Sequence, residues 1–243
     1  MKKLLLLSSI ILAATFAKAG IISDPDSLIK AQIEVSKSDT VKAKLYNDLA
    51  NHYMAYAAIQ DREVRTAYQE NALNYTLKAL HHYYRIDDST SMRACYDRLS
   101  RVYRDQKKFS QAKWFILQSN TMARNQNDQA NIVASLITLA GIKMDIKDYD
   151  LAVGDLKEAL SLSSVNRYSD QQTNIMLAYA RLYNSTHKPT KAAAAMKRYA
   201  FMKDSMKRDS QLRRMAKLGP KKKYYLASNK VQSNSKGTQS VSL

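Results

Sequence analysis

Tyr96 to Ser119 reads YDRLSRVYRDQKKFSQAKWFILQS, and the chain repeats the pattern of this stretch every forty residues. In the first copy Tyr96, Leu99, Ser100 and Tyr103 are followed by Phe109, Ala112, Ile116 and Ser119. The second has Leu136, Leu139, Ala140 and Lys143, then Tyr149, Ala152, Leu156 and Ala159. The third has Met176, Tyr179, Ala180 and Tyr183, then Pro189, Ala192, Met196 and Tyr199. Spacings of three and four put each quartet on one helix face, so every copy predicts a pair of helices. Small residues at Ser100, Ala140 and Ala180, and at Ala112, Ala152 and Ala192, let the two helices of a pair approach closely. Units repeated in this way bury their apolar faces only against their neighbours.

An interrupted copy precedes these three. Tyr46, Leu49, Ala50 and Tyr53 form its first helix, and Ala72, Thr76 and Ala79 its second. The interval from Tyr53 to Ala72 exceeds that from Tyr103 to Ala112 by ten residues. The added stretch holds Met54, Tyr56, Ile59 and Val64, which predicts extensions of both helices, with Asp61 as an N-cap. Ahead of it, Asp24-Pro25-Asp26-Ser27 introduces a short helix through Val35. Five Gly and three Pro among 243 residues agree with an all-helical chain.

The alternation of small and large positions resembles the tetratricopeptide repeat (TPR), over about Val41 to Tyr199. The resemblance implies an all-α, right-handed superhelical solenoid of antiparallel helix hairpins with a concave groove, here of about nine helices. The period of forty exceeds the common 34, so the hairpins are expected to be longer than usual by about one and a half turns. Lys143 departs from the pattern, standing where the other copies have Tyr103 and Tyr183. The repeats fall at about 41–90, 93–126, 133–166 and 173–206, after an N-terminal helix in 20–40. A basic C-terminal helix over 200–218 follows, and then a tail, 219–243, too rich in Ser, Asn, Gln and Lys to fold alone.

By the same resemblance the groove is lined by first-helix residues off the packing stripe. These are Asn47, Asn51 and Met54; Asp97, Arg101 and Arg104; Ile137, Gly141 and Met144; Leu177, Arg181 and Asn184. Asn51 and Arg101 alone match the carboxylate clamp of chaperone-binding family members, so that ligand is not assigned. Apolar Ile137, Met144 and Leu177 beside Arg101, Arg104 and Arg181 suit a protein or peptide segment with apolar anchors and acidic flanks.

Charge is unevenly spread. The formal net charge is +18, yet residues 20–187 hold 21 basic and 19 acidic residues, whereas 188–243 hold 15 and 2. The excess comprises Lys197, Arg198, Lys203, Lys207, Arg208, Arg213 and Arg214 in the last helix, and Lys221, Lys222 and Lys223 beyond Gly219-Pro220. Such a surface suits solvation of a terminal repeat, an anionic membrane or an acidic protein. Nucleic acid is a poor expectation for an exported chain. Export is the expectation because Lys2 and Lys3 precede an apolar run from Leu4 to Phe16 and Ala17-Lys18-Ala19 fits a cleavage site. Residues 1–19 therefore read as a signal peptide cut near Ala19 and Gly20, and the mature chain as periplasmic or secreted. Tyr199 to Met206 also resembles the end of tetratricopeptide ectodomains in bacterial membrane-bound sensor kinases and regulators, which makes a signalling input module the alternative reading.

Catalysis finds no support in the sequence. His52, His81, His82 and His187 form no HExxH motif or spaced ligand pair, and no Gly-rich phosphate loop occurs. Cys95 is the only cysteine and reads as a buried hydrophobe. Asp145, Asp148, Asp150 and Asp155 lack the Gly and closing Glu of a calcium loop and read as caps and solvated charge. No cofactor, metal or enzymatic activity is expected.

Overall fold

The computed structural model describes residues 25–217. Among them stand nine α-helices and no strand. They are α1 (Pro25–Val35), α2 (Asp39–Tyr53), α3 (Arg62–Arg85), α4 (Ser89–Asp105), α5 (Phe109–Asn125), α6 (Gln129–Asp145), α7 (Tyr149–Val165), α8 (Ser169–Ser185) and α9 (Pro189–Ala216). The signal peptide expected over 1–19 and the tail from 219, with Lys221, Lys222 and Lys223, lie outside the described residues. No described helix is long and apolar enough to cross a membrane.

The forty-residue period has a simple origin. Helices α4 to α8 each contain 17 residues, and three residues join each to the next. The joint is a left-handed C-cap, with positive φ at Asp87, Lys107, Asn127, Lys147, Arg167 and His187, one every twenty residues. Each closes the same pair of hydrogen bonds. At the second, Lys107 N–H donates to the Arg104 carbonyl at 2.9 Å and Lys108 N–H to the Tyr103 carbonyl at 2.8 Å, the Schellman arrangement. Where the next residue is Asp88 or Asp128, its carboxylate caps the following helix by accepting from Ser91 N–H or Asn131 N–H.

None of the six positions is glycine. A β-carbon is disfavoured in the left-handed region. Lys107→Gly should therefore raise stability by up to about 1 kcal/mol, read as a higher denaturant midpoint, and Lys107→Val should lower it. A fall on Lys107→Gly would refute this account of the joint.

The described residues divide between Met122 and Ala123, inside α5, into two compact units. In the first, Leu49, Ala50, Ala72, Thr76, Ala79, Leu99, Ser100 and Ala112 are fully buried, in the register the repeat predicts. Asp61 caps α3 by accepting from Val64 N–H at 2.9 Å. Five of the added residues continue α2 as a 3-10 turn, Met54–Ala58. Buried Tyr56 of that turn donates to Asp105 at 2.6 Å, which fastens the insertion to the end of α4. Helix α1 is held by the Tyr53 hydroxyl, which donates to buried Asp26.

In the second unit Ala140, Ala152, Leu156, Ala178 and Leu182 form one core cluster, and Ile132, Val133, Leu136, Ala159, Ile175 and Met176 contribute to another. Lys143 is buried as well, and its ammonium meets Asp155 of α7 at 2.7 Å. Asp155 is thus not the solvated charge expected from sequence. It is the counter-ion of a lysine inside the hairpin, where a free charge could not remain.

Candidate functional site

In the first unit α2 and α4 bring two of the expected groove residues, Asn47 and Asn51, onto Arg98, which the groove spacing does not select. Arg98 of α4 donates through Nη2 to Asn47 Oδ1 at 2.9 Å and to Asn51 Oδ1 at 2.7 Å, both on α2. Both partners are neutral amides. Burial pulls the Arg98 guanidinium below its usual pKa, and neighbouring Arg101 acts in the same direction. The second terminal nitrogen, Nη1, is buried without a hydrogen-bond partner among the described residues. A buried donor left unmatched costs roughly 1–3 kcal/mol. The groove register points to every third or fourth residue and so selected Asp97 and Arg101. Arg98 lies between them, and its reach toward α2 depends on how the two helices sit side by side.

The other expected residues of this unit behave differently. Asp97 has local partners: Arg93 donates to it at 2.8 Å and the Ser119 hydroxyl at 2.5 Å. Burial nevertheless pushes its carboxyl above the ordinary range. Arg101 is exposed and Arg104 half-buried. Met54 leans on the cluster of Tyr56, Ala72 and Val102.

In the second unit two expectations are corrected. Met144, assigned to the groove, is only 7 % exposed and belongs to the core formed with Ala140, Ala152, Leu156, Ala178 and Leu182. Gly141 is buried too. The cause is that α6 is covered on most sides: seven of the eight residues Ile132 to Leu139, excluding Ala134, are buried or half-buried, and Leu139 to Met144 are all buried. Ile137 is half-buried against the core. Leu177 is half-buried, Asn184 is exposed, and exposed Arg181 lies 3.9 Å from Asp145.

The basic residues Lys197, Arg198, Lys203, Lys207, Arg208, Arg213 and Arg214 are all exposed along α9, which runs as one helix through the Tyr199–Ala200 boundary. Cys95 is buried, and burial raises its thiol pKa to about 11, so the nucleophilic thiolate is suppressed at neutral pH. His82 Nδ1 lies 2.7 Å from Asp39 and joins α3 to α2, while His52, His81 and His187 are exposed. Among the described residues no group of three His, Cys, Asp or Glu side chains is placed to hold a metal ion.

No protein-family model matches the chain, and no curated protein does. Solved structures do. RapI in its apo form aligns with a TM-score of 0.65 at 15 % identity, over 91 % of this chain and 82 % of that one. BtubC (BKLC) from P. vanneervenii aligns at 0.62 and 15 %, over 81 % and 79 %. A Podosopora anserina chain with nearly identical TPR-like repeats of kinesin light chain type aligns at 0.60 and 16 %, over 84 % and 96 %. Identities this low speak to fold alone. With the hairpin register and buried small residues, they show a TPR-like fold of helix hairpins.

Proposed function

We propose that the protein is a non-catalytic interaction scaffold, exported from the cytoplasm, that binds an acidic peptide segment across α2 and α4. The observation that carries this reading is Arg98, a partly buried cation held by two neutral amides, with Arg101 beside it and one orphaned donor. An incoming carboxylate would supply the counter-charge that two neutral amides lack, through the kind of charge-assisted bond that fixes an acidic group in place. Asn51 and Arg101, beside Arg98, are exposed and within reach of a passing segment. Repeat folds of this type offer extended surfaces for such segments. The leader-like residues 1–19 support export.

The test is purification from the native envelope, with the N-terminus sequenced and the co-eluting proteins identified. The reading expects a chain beginning near Gly20 and a partner whose recovery falls roughly tenfold or more with Arg101→Glu, equivalent to about 1.4 kcal/mol. Arg98→Ala should act likewise without a lower melting temperature. Unchanged recovery with both variants would reject the α2–α4 face as the binding surface.

A further inference from the structure

In the second unit the repeat register shows what the equivalent surface of the last described helix lacks. On α7, Leu156 is buried against Ala178 and Leu182 of α8, Ala159 against Ile175 and Met176, and Ser163 is buried as well. Forty residues later the same positions on α9 are Met196, Tyr199 and Lys203. Leu156 is 0 % exposed, but Met196 is 42 % exposed. Tyr199 is half-buried, one side packed on the core cluster that holds Ile175 and Met176, and Lys203 is exposed with its ammonium 5.5 Å from the Tyr199 ring. Among the described residues no helix covers this side of α9. At 3.6 residues per turn, Lys207 and Arg214 lie within roughly 20° of Met196, so the open side is apolar near its start and cationic beyond.

We infer that this side of α9 receives a helix from an acidic partner protein, with apolar side chains against Met196 and Tyr199 and carboxylates facing Lys203, Lys207 and Arg214. A helix is the fitting shape because a helix, α8, fills the equivalent place on α7. Acidity follows from charge. Helix α9 carries eight basic residues and two acidic ones, and none of its cations is ion-paired among the described residues. A second copy of this chain is a poor occupant, since two α9 helices repel and no described helix holds more than three carboxylates. A bilayer is also disfavoured. Interfacial helices segregate charge to one face, whereas Lys191 and Arg198 project from the side of α9 opposite Met196.

The probe is a labelled, lactam-stapled helical peptide with Leu at i and i+4 near one end and Glu continuing the same face. Fluorescence anisotropy on the full chain reads its affinity at about 0.15 M salt, where exposed charges are screened beyond roughly 8 Å. Lys203→Glu with Lys207→Glu should weaken binding tenfold or more, and Met196→Ser should weaken it several-fold while Met196→Leu restores it. Arg198→Glu with Arg208→Glu, an equal change of charge on other sides of α9, should change it less than threefold. Equal losses from the two charge-swap pairs would overturn the inference, as would indifference to Met196→Ser. Loss of binding on Lys221→Ser, Lys222→Ser and Lys223→Ser together in the full chain would also overturn it. So would tighter binding to phosphatidylglycerol vesicles than to the peptide, unaffected by Met196→Ser. All of these residues are remote in sequence from Arg98 and Arg101, so this inference and the α2–α4 reading fail separately.

Discussion

Replacing Asp155 with alanine should destabilise the second unit by about 3–5 kcal/mol, because it leaves an ammonium buried without its counter-charge. Lys143 Nζ stands 2.9 Å from Oδ1 and 2.7 Å from Oδ2 of Asp155, and both side chains are little more than one-tenth exposed. The repeat also supplies the rescue. Forty residues earlier the same two positions are Tyr103 and Phe115, stacked at 5.4 Å with rings nearly parallel. Transplanting that pair as Lys143→Tyr with Asp155→Phe should recover the loss and reach or exceed the parent, since apolar replacements of buried ion pairs are often neutral or stabilising. Urea unfolding followed by circular dichroism checks both. A single Asp155→Ala variant losing under about 1 kcal/mol would mean that Lys143 finds water, and the buried pair would lose its meaning.

Ala152→Lys should be comparably severe, at about 3 kcal/mol or more. Ala152 is fully buried, clustered with Ala140 across the hairpin and with Leu156 beside it. A long cationic side chain there must either separate α6 from α7 or lie unpaired between them. Ala152→Gly gives the comparison, because it adds no volume and should cost only the helix propensity of about 1 kcal/mol. Similar losses from the two variants would indicate that close approach at this position is not what holds the hairpin.

The hairpin register was legible because it rests on local rules that repeat. Ala112, Ala152 and Ala192, forty residues apart, are all buried, and the same spacing marked Leu99 and Leu139. Asp61 was legible as a cap because capping needs only three residues of chain. What escaped notice depended on pairs distant in sequence. Lys143 looked like a departure from the pattern, since nothing local says that a residue twelve positions later will neutralise it. Helical spacing points Met144 toward the groove, because it gives a direction but not the number of neighbours crowding it. Arg98 carries no local signal, because its partners are about fifty residues earlier, across the ten-residue insertion that shifts the register between α2 and α4.

The identical joints at Lys107, Asn127, Lys147 and Arg167 have a bearing on how such a chain changes length. Excising or duplicating a forty-residue block leaves every seam with the same left-handed C-cap and the same three-residue connector. Adding one residue within a helix instead turns everything after it by about 100° and drives polar groups inward. Sequence variation here is therefore quantised: whole hairpins are cheap to gain or lose, and single-residue slips are not.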